Sequence, residues 1–478
     1  MNIIDDLQTI LASDNLLIKD EELSVFECDA LSAYRQKPLA VALPNNVSEI
    51  KQILKVCKKH NIPIVTRGAG TSLSGGALPL ENGVLLVLSK LNKILTVDID
   101  RRIAVVEPGV INIQVTEKVD EYGLYYAPDP SSQIACTIGG NVAENAGGVH
   151  CLKYGLTVNN VLSIKFLTID GDEILLKQNQ DSLDLLALLN GSEGLLGIIT
   201  EIELKLTPKP ETTKLITAGF SKIENCANAV KEIIKHGIIP AGLEMMDELA
   251  IRAAEDFVQA GYPINAKALL LCELDGNKTQ VLKELKVVSK ILKDIGAEVI
   301  KKAENNEERL KLWQGRKAAF PAIGRISPDY YCIDGTIPRR KLAQILQAIA
   351  KLSQQYNLSV ANVFHAGDGN LHPLILYDAN KAGELEKTEE LGEKILNLCV
   401  DYGGNITGEH GVGVEKLNSM CVQFNNLELT VFHNIKKVFD PQNLLNPGKA
   451  VPTLHRCAEL GKMHVHNNNL PFSELERF

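Results

Sequence analysis

No two of the ten cysteines, at positions 28, 57, 136, 151, 226, 272, 332, 399, 421 and 457, stand as CxxC or CxxxC. That close spacing is what iron–sulfur and zinc-ribbon sites usually need, so the chain itself is expected to carry no such cluster. Scattered thiols in a large chain fit a reducing compartment better than a disulfide framework. Positive charge is also in deficit: 50 Lys and Arg stand against 59 Asp and Glu, a net charge of −9. Without a broad cationic surface to neutralise phosphates, nucleic acid is excluded as a partner. No uncharged apolar run approaches the roughly 20 residues that span a bilayer. The start, Met1-Asn2-Ile3-Ile4-Asp5-Asp6, has an acidic pair where a secretory signal needs a basic end and an apolar run. A cytoplasmic chain without a transmembrane segment is expected. There is no internal repeat and no low-complexity tract.

What is present is core-forming material: 45% hydrophobic and 23% charged side chains in 478 residues, enough for roughly three domains at about 150 residues each. Residues 1–37 carry a helix-like spacing in Ile4, Leu7, Ile10 and Leu11 and read as a capping segment. From Pro38 the pattern changes to short β-type runs alternating with helical ones. Val47, Ile50, Ile53, Leu54 and Cys57 form one stripe, which predicts an amphipathic helix over 47–60, and strands are expected over 62–66, 84–88, 94–99 and 103–106. Two prolines, Pro208 and Pro210, close this block at 38–210. Between 211 and 426, helices over 223–235 and 279–295 alternate with a strand over 268–274, predicting an α+β domain with an antiparallel sheet. A turn-rich C-terminal segment, 427–478, completes the chain.

The densest glycine cluster, Arg67-Gly68-Ala69-Gly70-Thr71-Ser72-Leu73-Ser74-Gly75-Gly76-Ala77, follows the expected strand at 62–66. Glycines there allow close backbone approach to a ligand, and consecutive amides can point at phosphate oxygens. It is no GxGxxG fingerprint, because Leu73 occupies the third glycine position, and no Walker A loop, because Gly76 stands where lysine is required. On this segment alone, a phosphate cradle and a pair of tight turns are equally good readings. A second cluster tips the balance: Pro128-Asp129-Pro130, then Thr137-Ile138-Gly139-Gly140-Asn141, with Asn145 and Gly147-Gly148 beyond. A third runs through Gly191, Glu193, Gly194, Gly197 and Ile199. Three such clusters in 200 residues point to a large dinucleotide.

The block 38–210 resembles the FAD-binding domain of the vanillyl-alcohol oxidase and p-cresol methylhydroxylase superfamily. The resemblance implies a fold distinct from the doubly wound one, with two α+β subdomains enclosing an extended FAD. It assigns flavin contacts to Arg67, Gly68, Ala69, Gly70, Thr71, Ser72, Gly75 and Gly76, to Pro128, Asp129, Thr137, Gly139, Gly140, Asn141, Asn145 and Gly147, and to Glu193, Gly197 and Ile199. No histidine lies between Arg67 and Ala77, so non-covalent FAD is expected, with His150 and Cys151 as the less favoured attachment points.

A second constellation begins at Asn362-Val363-Phe364-His365-Ala366-Gly367-Asp368-Gly369-Asn370-Leu371-His372-Pro373. Side chains seven apart on a straight strand face opposite ways, but Gly367-Asp368-Gly369-Asn370 is a strong turn signal that would fold both histidines onto one ion. In Gly408-Glu409-His410-Gly411-Val412-Gly413, Glu409 offers a carboxylate and His410 a base. Two His and one Glu leave coordination positions open for Lewis-acid catalysis. A lone histidine is more often structural, but three in two glycine-rich polar motifs favour chemistry.

These motifs, with the ending Pro441-Gln442-Asn443-Leu444-Leu445-Asn446-Pro447-Gly448-Lys449, are similar to the FAD-linked D-2-hydroxy acid dehydrogenases, which include glycolate oxidase subunits and D-lactate and D-2-hydroxyglutarate dehydrogenases. The likeness runs over about residues 20–458. It implies a divalent metal (zinc, manganese or iron) on His365, His372 and Glu409, His410 as general base, and Asn446 near the flavin. It also implies FAD-binding and iron–sulfur partner subunits passing electrons to quinone, and a cytoplasmic protein peripheral to the inner membrane. Trp313-Gln314-Gly315-Arg316 resembles the segment bearing a carboxylate-binding arginine, so Arg316 is the first choice and Arg325 the second; a surface arginine after Glu307 and Glu308 is the bland alternative. Phe320 and Tyr330 stand in the stretch where the hydroxyglutarate enzymes carry Thr and Lys, so glycolate or D-lactate fits better. Two rivals are a flavin-carrying scaffold subunit inactive alone and a metal-dependent hydrolase, which would leave the glycine clusters unexplained.

Overall fold

In the computed structural model, residues 2–178 and 183–453 are described. The end of the expected C-terminal segment, residues 454–478 with Cys457, lies outside the described residues.

The short apolar runs of the first half build two sheets. One has four strands in the order Leu16–Leu17, Ala40–Ala42, Val84–Val87, Ile64–Arg67. Its last two pairings are parallel, and Val84–Val87 is buried along its whole length, as a strand covered on both faces must be. The helix Val47–His60 lies against it through Ile50, Ile53, Leu54 and Cys57. Asn46 caps this helix by accepting the Glu49 N–H, and Asn61 ends it in the left-handed conformation that Asn tolerates. That turn and Pro63 delay the next strand to Ile64. The second sheet is antiparallel, in the order Ile94–Asp98, Ile103–Val106, Ile198–Lys205, Val161–Leu167, Glu173–Lys177.

The second half forms a seven-stranded sheet, every pairing antiparallel: Val299–Lys302, Thr212–Phe220, Ala268–Gly276, Gly242–Asp247, Val360–Phe364, Pro373–Tyr377, Asp329–Cys332. Helices cover both faces, which explains why the strand 268–274 shows no polar alternation. Leu270, Cys272 and Leu274 join the core beneath Ile223–Lys235 and Lys278–Asp294, while Leu269 and Leu271 join the core beneath Glu248–Val258 and Asn306–Lys317. Each such leucine contributes about 1.5–3 kcal/mol by burial. A polar substitution at Leu270 therefore both loses that term and buries an unpaired group.

The chain then returns to its first half. Ile64 donates its N–H to Leu444 O and accepts from Asn446 N–H, both at 2.7 Å, and Leu444 and Leu445 pack with Ile50 and Ile53. This return carries Asn446 beneath the 67–77 loop.

Candidate active site

The turn after Val360–Phe364 does what its glycines demand. His365 N–H donates to Asn370 O, and Gly369 N–H donates to His365 O, each at 3.0 Å. Gly369 has φ +89°, and a Cβ there would collide with Ile337 O, so no other residue fits. The hairpin brings the His365 and His372 rings edge to face, 5.1 Å between centroids.

Glu409 meets both. Its Oε1 lies 3.2 Å from His365 Nε2 and 3.3 Å from His372 Nε2, and one ligand atom from each of the three residues falls within 4.8 Å of the others. His372 Nε2 is buried and makes no hydrogen bond despite that approach. On the far side of His365, Nδ1 sits 2.9 Å from Glu244 Oε1. That bond directs Nε2 inward, as a carboxylate behind a metal-binding histidine does. The donor set fits a divalent ion. Burial opposes ionisation of Glu409, but the two imidazoles hold its carboxyl well below the usual range.

His410 follows Glu409 and faces the same space, stacked on His372 at 4.8 Å with 8° between planes. Burial pushes its pKa down to about 4, so its ring is neutral near pH 7, and Nδ1 is buried without a partner. The loop is hung from two carboxylates. Asp334, fully buried, accepts from Gly408 N–H (2.9 Å), His410 N–H (3.1 Å) and Lys416 Nζ (3.0 Å). Asp334 thus belongs with a second set, Asp334, His372 and His410, whose ligand atoms are also mutually close, but its oxygens are occupied by the loop. Glu193 accepts from Val412 and Gly413 N–H groups, both at 2.7 Å. Gly411, at φ +83°, lies against the Glu144 and Glu193 carboxylates, and a side chain there would collide with Glu144.

A cavity of about 470 Å³, within the usual range for small-molecule sites, joins these side chains to the glycine loops. Its walls include Arg67, Gly68, Ala69, Gly70, Thr71, Ser72, Gly76, Thr137, Gly139, Gly140, Asn141, Glu193, Gly197 and Ile199, and opposite them His365, His372, Glu409 and His410. Other expected cofactor contacts lie behind this wall. Asn446 donates to Gly76 O (3.0 Å) and Glu193 O (2.7 Å), fastening the first and third clusters together. Asp129 holds His150 Nδ1 at 2.9 Å. Pro128 O accepts from Asn112, Asn145 ends the helix Ile138–Glu144, Gly75 packs on Val414, and Gly147 packs on Glu409.

Arg316 is 1% exposed and pairs with Glu244 through Nη2 (2.7 Å) and Nε (3.0 Å). It is not among the cavity-lining residues. Arg325 is exposed, donates to Asp256 O and lies over the Phe257 ring, so the second choice for a carboxylate anchor faces away from the cavity. The sequence reading missed Glu244 and Asp334 as organisers, and Glu144, Ser131, Ser132 and Lys317 as wall residues. A signal existed for Glu244: an acid inside the apolar strand Gly242–Asp247 needs a buried partner. His150, one of the two residues set aside as flavin attachment points, sits between Asp129 and Glu273 Oε1 (3.2 Å). Both ring nitrogens are thereby occupied.

Residues 38–176 match the FAD binding domain family, and residues 209–450 match the C-terminal domain of FAD linked oxidases. The chain is 59% identical over 466 residues to the glycolate oxidase subunit GlcD of Escherichia coli, covering 97% of this chain and 93% of that one. It is 30% identical to a D-lactate dehydrogenase of Anaerostipes hadrus, covering 92% and 95%. A solved p-cresol methylhydroxylase superposes with TM-score 0.79 at 17% identity, covering 95% of this chain and 97% of that one.

Proposed function

The chain belongs to the FAD-linked oxidases, and from that premise we propose that it oxidises a small D-2-hydroxy acid, glycolate or D-lactate, to the 2-oxo acid. One observation carries the reading: the three glycine clusters and the set His365, His372, Glu409 and His410 are walls of one cavity. The glycine loops would hold FAD without a covalent bond, and that cofactor would supply the acceptor for the α-hydrogen and its electron pair. His365, His372 and Glu409 would hold a zinc, manganese or iron ion, which would supply Lewis acidity to the site. The chain's own contribution is position and proton transfer. His410, neutral and with Nδ1 free, takes the hydroxyl proton. Glu244 orients His365, and Arg316 holds Glu244, so Arg316 acts on the site through these two. Asp334 and Glu193 fix the loop that carries Glu409 and His410 from opposite sides.

Phe320 and Tyr330 line the same cavity and bring no charge to it, which favours a monocarboxylate over D-2-hydroxyglutarate. The word "subunit" in the name of the Escherichia coli relative supports a second reading within the first: the chain works beside partner subunits that take its electrons onward. Among the described residues no helix is long and apolar enough to cross a membrane.

Anaerobic mixing of the holo-protein with D- and L-2-hydroxy acids tests the reaction. Bleaching of the flavin band by glycolate or D-lactate is expected. A flavin that stays oxidised with every acid overturns the assignment.

A further inference from the structure

Glu144 is a wall residue of the cavity that the reaction above does not use. It ends the helix Ile138–Glu144, and its carboxyl group is wedged between two loops from opposite halves of the chain. Oε1 lies 2.7 Å from the point where a Cβ on Gly76 would stand, and a Cβ on Gly411 would collide with Oε2. Oε2 is buried and makes no hydrogen bond. A buried polar atom without a protein partner, on the wall of a ligand cavity, points to a partner that the ligand supplies.

The neighbours decide its protonation state. The Glu193 carboxylate stands on the same glycine, with Oε1 3.0 Å from that Gly411 Cβ position. Two carboxyl groups this close in a buried site do not both ionise. Glu193 is the anion, because its two oxygens accept the N–H groups of Val412 and Gly413. Oε2 of Glu144 has no such donor. Burial and the Glu193 charge push the Glu144 carboxyl well above the usual carboxylate range, against weaker pulls from Ser72 and Lys416. The other charges facing the pair are Asp29, which burial pushes up to about 6, and Lys449, whose Nζ donates to Gly76 O at 2.9 Å. A neutral acid carries an O–H donor, and the unpartnered Oε2 is the place for it.

His410 immediately precedes Gly411. With His410 as the base, the hydride acceptor must touch the carbon whose hydroxyl His410 deprotonates. The redox-active end of the cofactor therefore belongs beside the 408–411 loop, against which Glu144 lies. We propose that Glu144 donates a hydrogen bond from its carboxyl O–H to the ring of the bound flavin and raises its reduction potential, with Glu193 as the ionised partner that keeps the proton there. The position of the ring rests on the hydroxy-acid reading above. The proton stays on Glu144. Reduction adds negative charge to the ring, and a donor already aimed at it favours the reduced form. The competing role is a carboxyl group that only braces the two loops.

The test compares wild-type holo-protein with Glu144→Gln and Glu144→Leu. Flavin midpoint potentials are measured at neutral pH by dithionite titration against a reference dye, so no substrate enters. Glu144→Leu loses the donor and should shift the flavin equilibrium roughly 10- to 100-fold toward the oxidised form, the worth of one hydrogen bond to a charged group. That shift is a potential lower by about 30–60 mV for a two-electron couple. Glu144→Gln keeps an uncharged donor of the same shape and should stay near the wild-type potential. The infrared difference spectrum between oxidised and reduced wild type should contain a protonated-carboxyl band that moves on reduction and is missing in Glu144→Gln. That band decides the matter should Glu144→Leu fail to retain FAD. An unchanged potential in Glu144→Leu, a raised potential in Glu144→Gln, as for a native anion, or the absence of such a band each overturns the proposal. If no hydroxy acid bleaches the wild-type flavin, the hydroxy-acid reading falls, while the dithionite titrations still decide the role of Glu144.

Discussion

The two walls of the cavity are made of different material. The wall from the first half is mostly backbone and small side chains, from loops 67–77, 137–148 and 193–199, with Arg67 as its cation and Glu144 and Glu193 as its acids. The wall from the second half is buried titratable groups, each braced by another far away in sequence: His365 by Glu244, the 408–410 loop by Asp334, Asp334 by Lys416. A backbone wall suits a large cofactor because many weak contacts share the load. A wall of buried charges suits chemistry, and each member depends on its partner. Substitutions in the second wall should therefore separate cofactor binding from turnover, and those behind it should separate turnover from stability.

The sharpest break is His410→Ala. The flavin spectrum and FAD content should stay at wild-type levels while anaerobic flavin reduction slows by roughly 10²- to 10⁴-fold, the usual worth of a general base. Equal reduction rates would dissolve the distinction between the walls. Next, Asp334→Asn takes from Lys416, which is fully buried, its nearest counter-charge. A loss of about 3–5 kcal/mol is expected in denaturant titrations, as for other broken buried pairs. Smaller still, Glu244→Gln weakens the grip on His365 Nδ1. Metal content after dialysis should reveal a 10- to 100-fold lower affinity, the usual effect of losing such a support, with FAD retained.

The mildest effect concerns the seam between the halves. His150 bridges Asp129 of the first half and Glu273 of the second. Burial opposes its charge, but the two carboxylates raise its pKa to about 10. A histidine whose folded pKa lies above its unfolded value of about 6.5 stabilises fully below that pH, and the contribution fades as pH rises toward 10. Thermal melts of the wild type should thus lose stability between pH 6.5 and 10 by a margin that His150→Gln lacks. Parallel curves for both proteins would remove His150 from the seam.

Much of the first wall was legible in sequence because glycine clusters are local signals. Arg67 to Ser72, Thr137 to Asn141 and Glu193 to Ile199 contributed wall residues where the motifs stood. The histidine hairpin was legible for the same reason, since the turn lies between the two rings it joins. Glu193 was legible as a site residue but not in its manner: its carboxylate grips the backbone of 412 and 413, more than two hundred residues on. Arg316 and Lys317 are adjacent in sequence, and nothing local tells which one meets the cavity.

The pattern of residues by itself determined the alternation of elements, the glycine loops, the turn that pairs His365 with His372 and the adjacency of Glu409 to His410, because each depends on backbone geometry over a dozen residues or fewer. Tertiary structure alone decided that Glu244 stands behind His365, that Asp334 and Glu193 suspend one loop from two sides, and that Lys317 faces the cavity while Arg316 does not. Those pairings join strands and loops separated by tens to hundreds of residues. Which buried charge finds which partner is set by the packing of whole sheets, a property no short stretch of sequence contains.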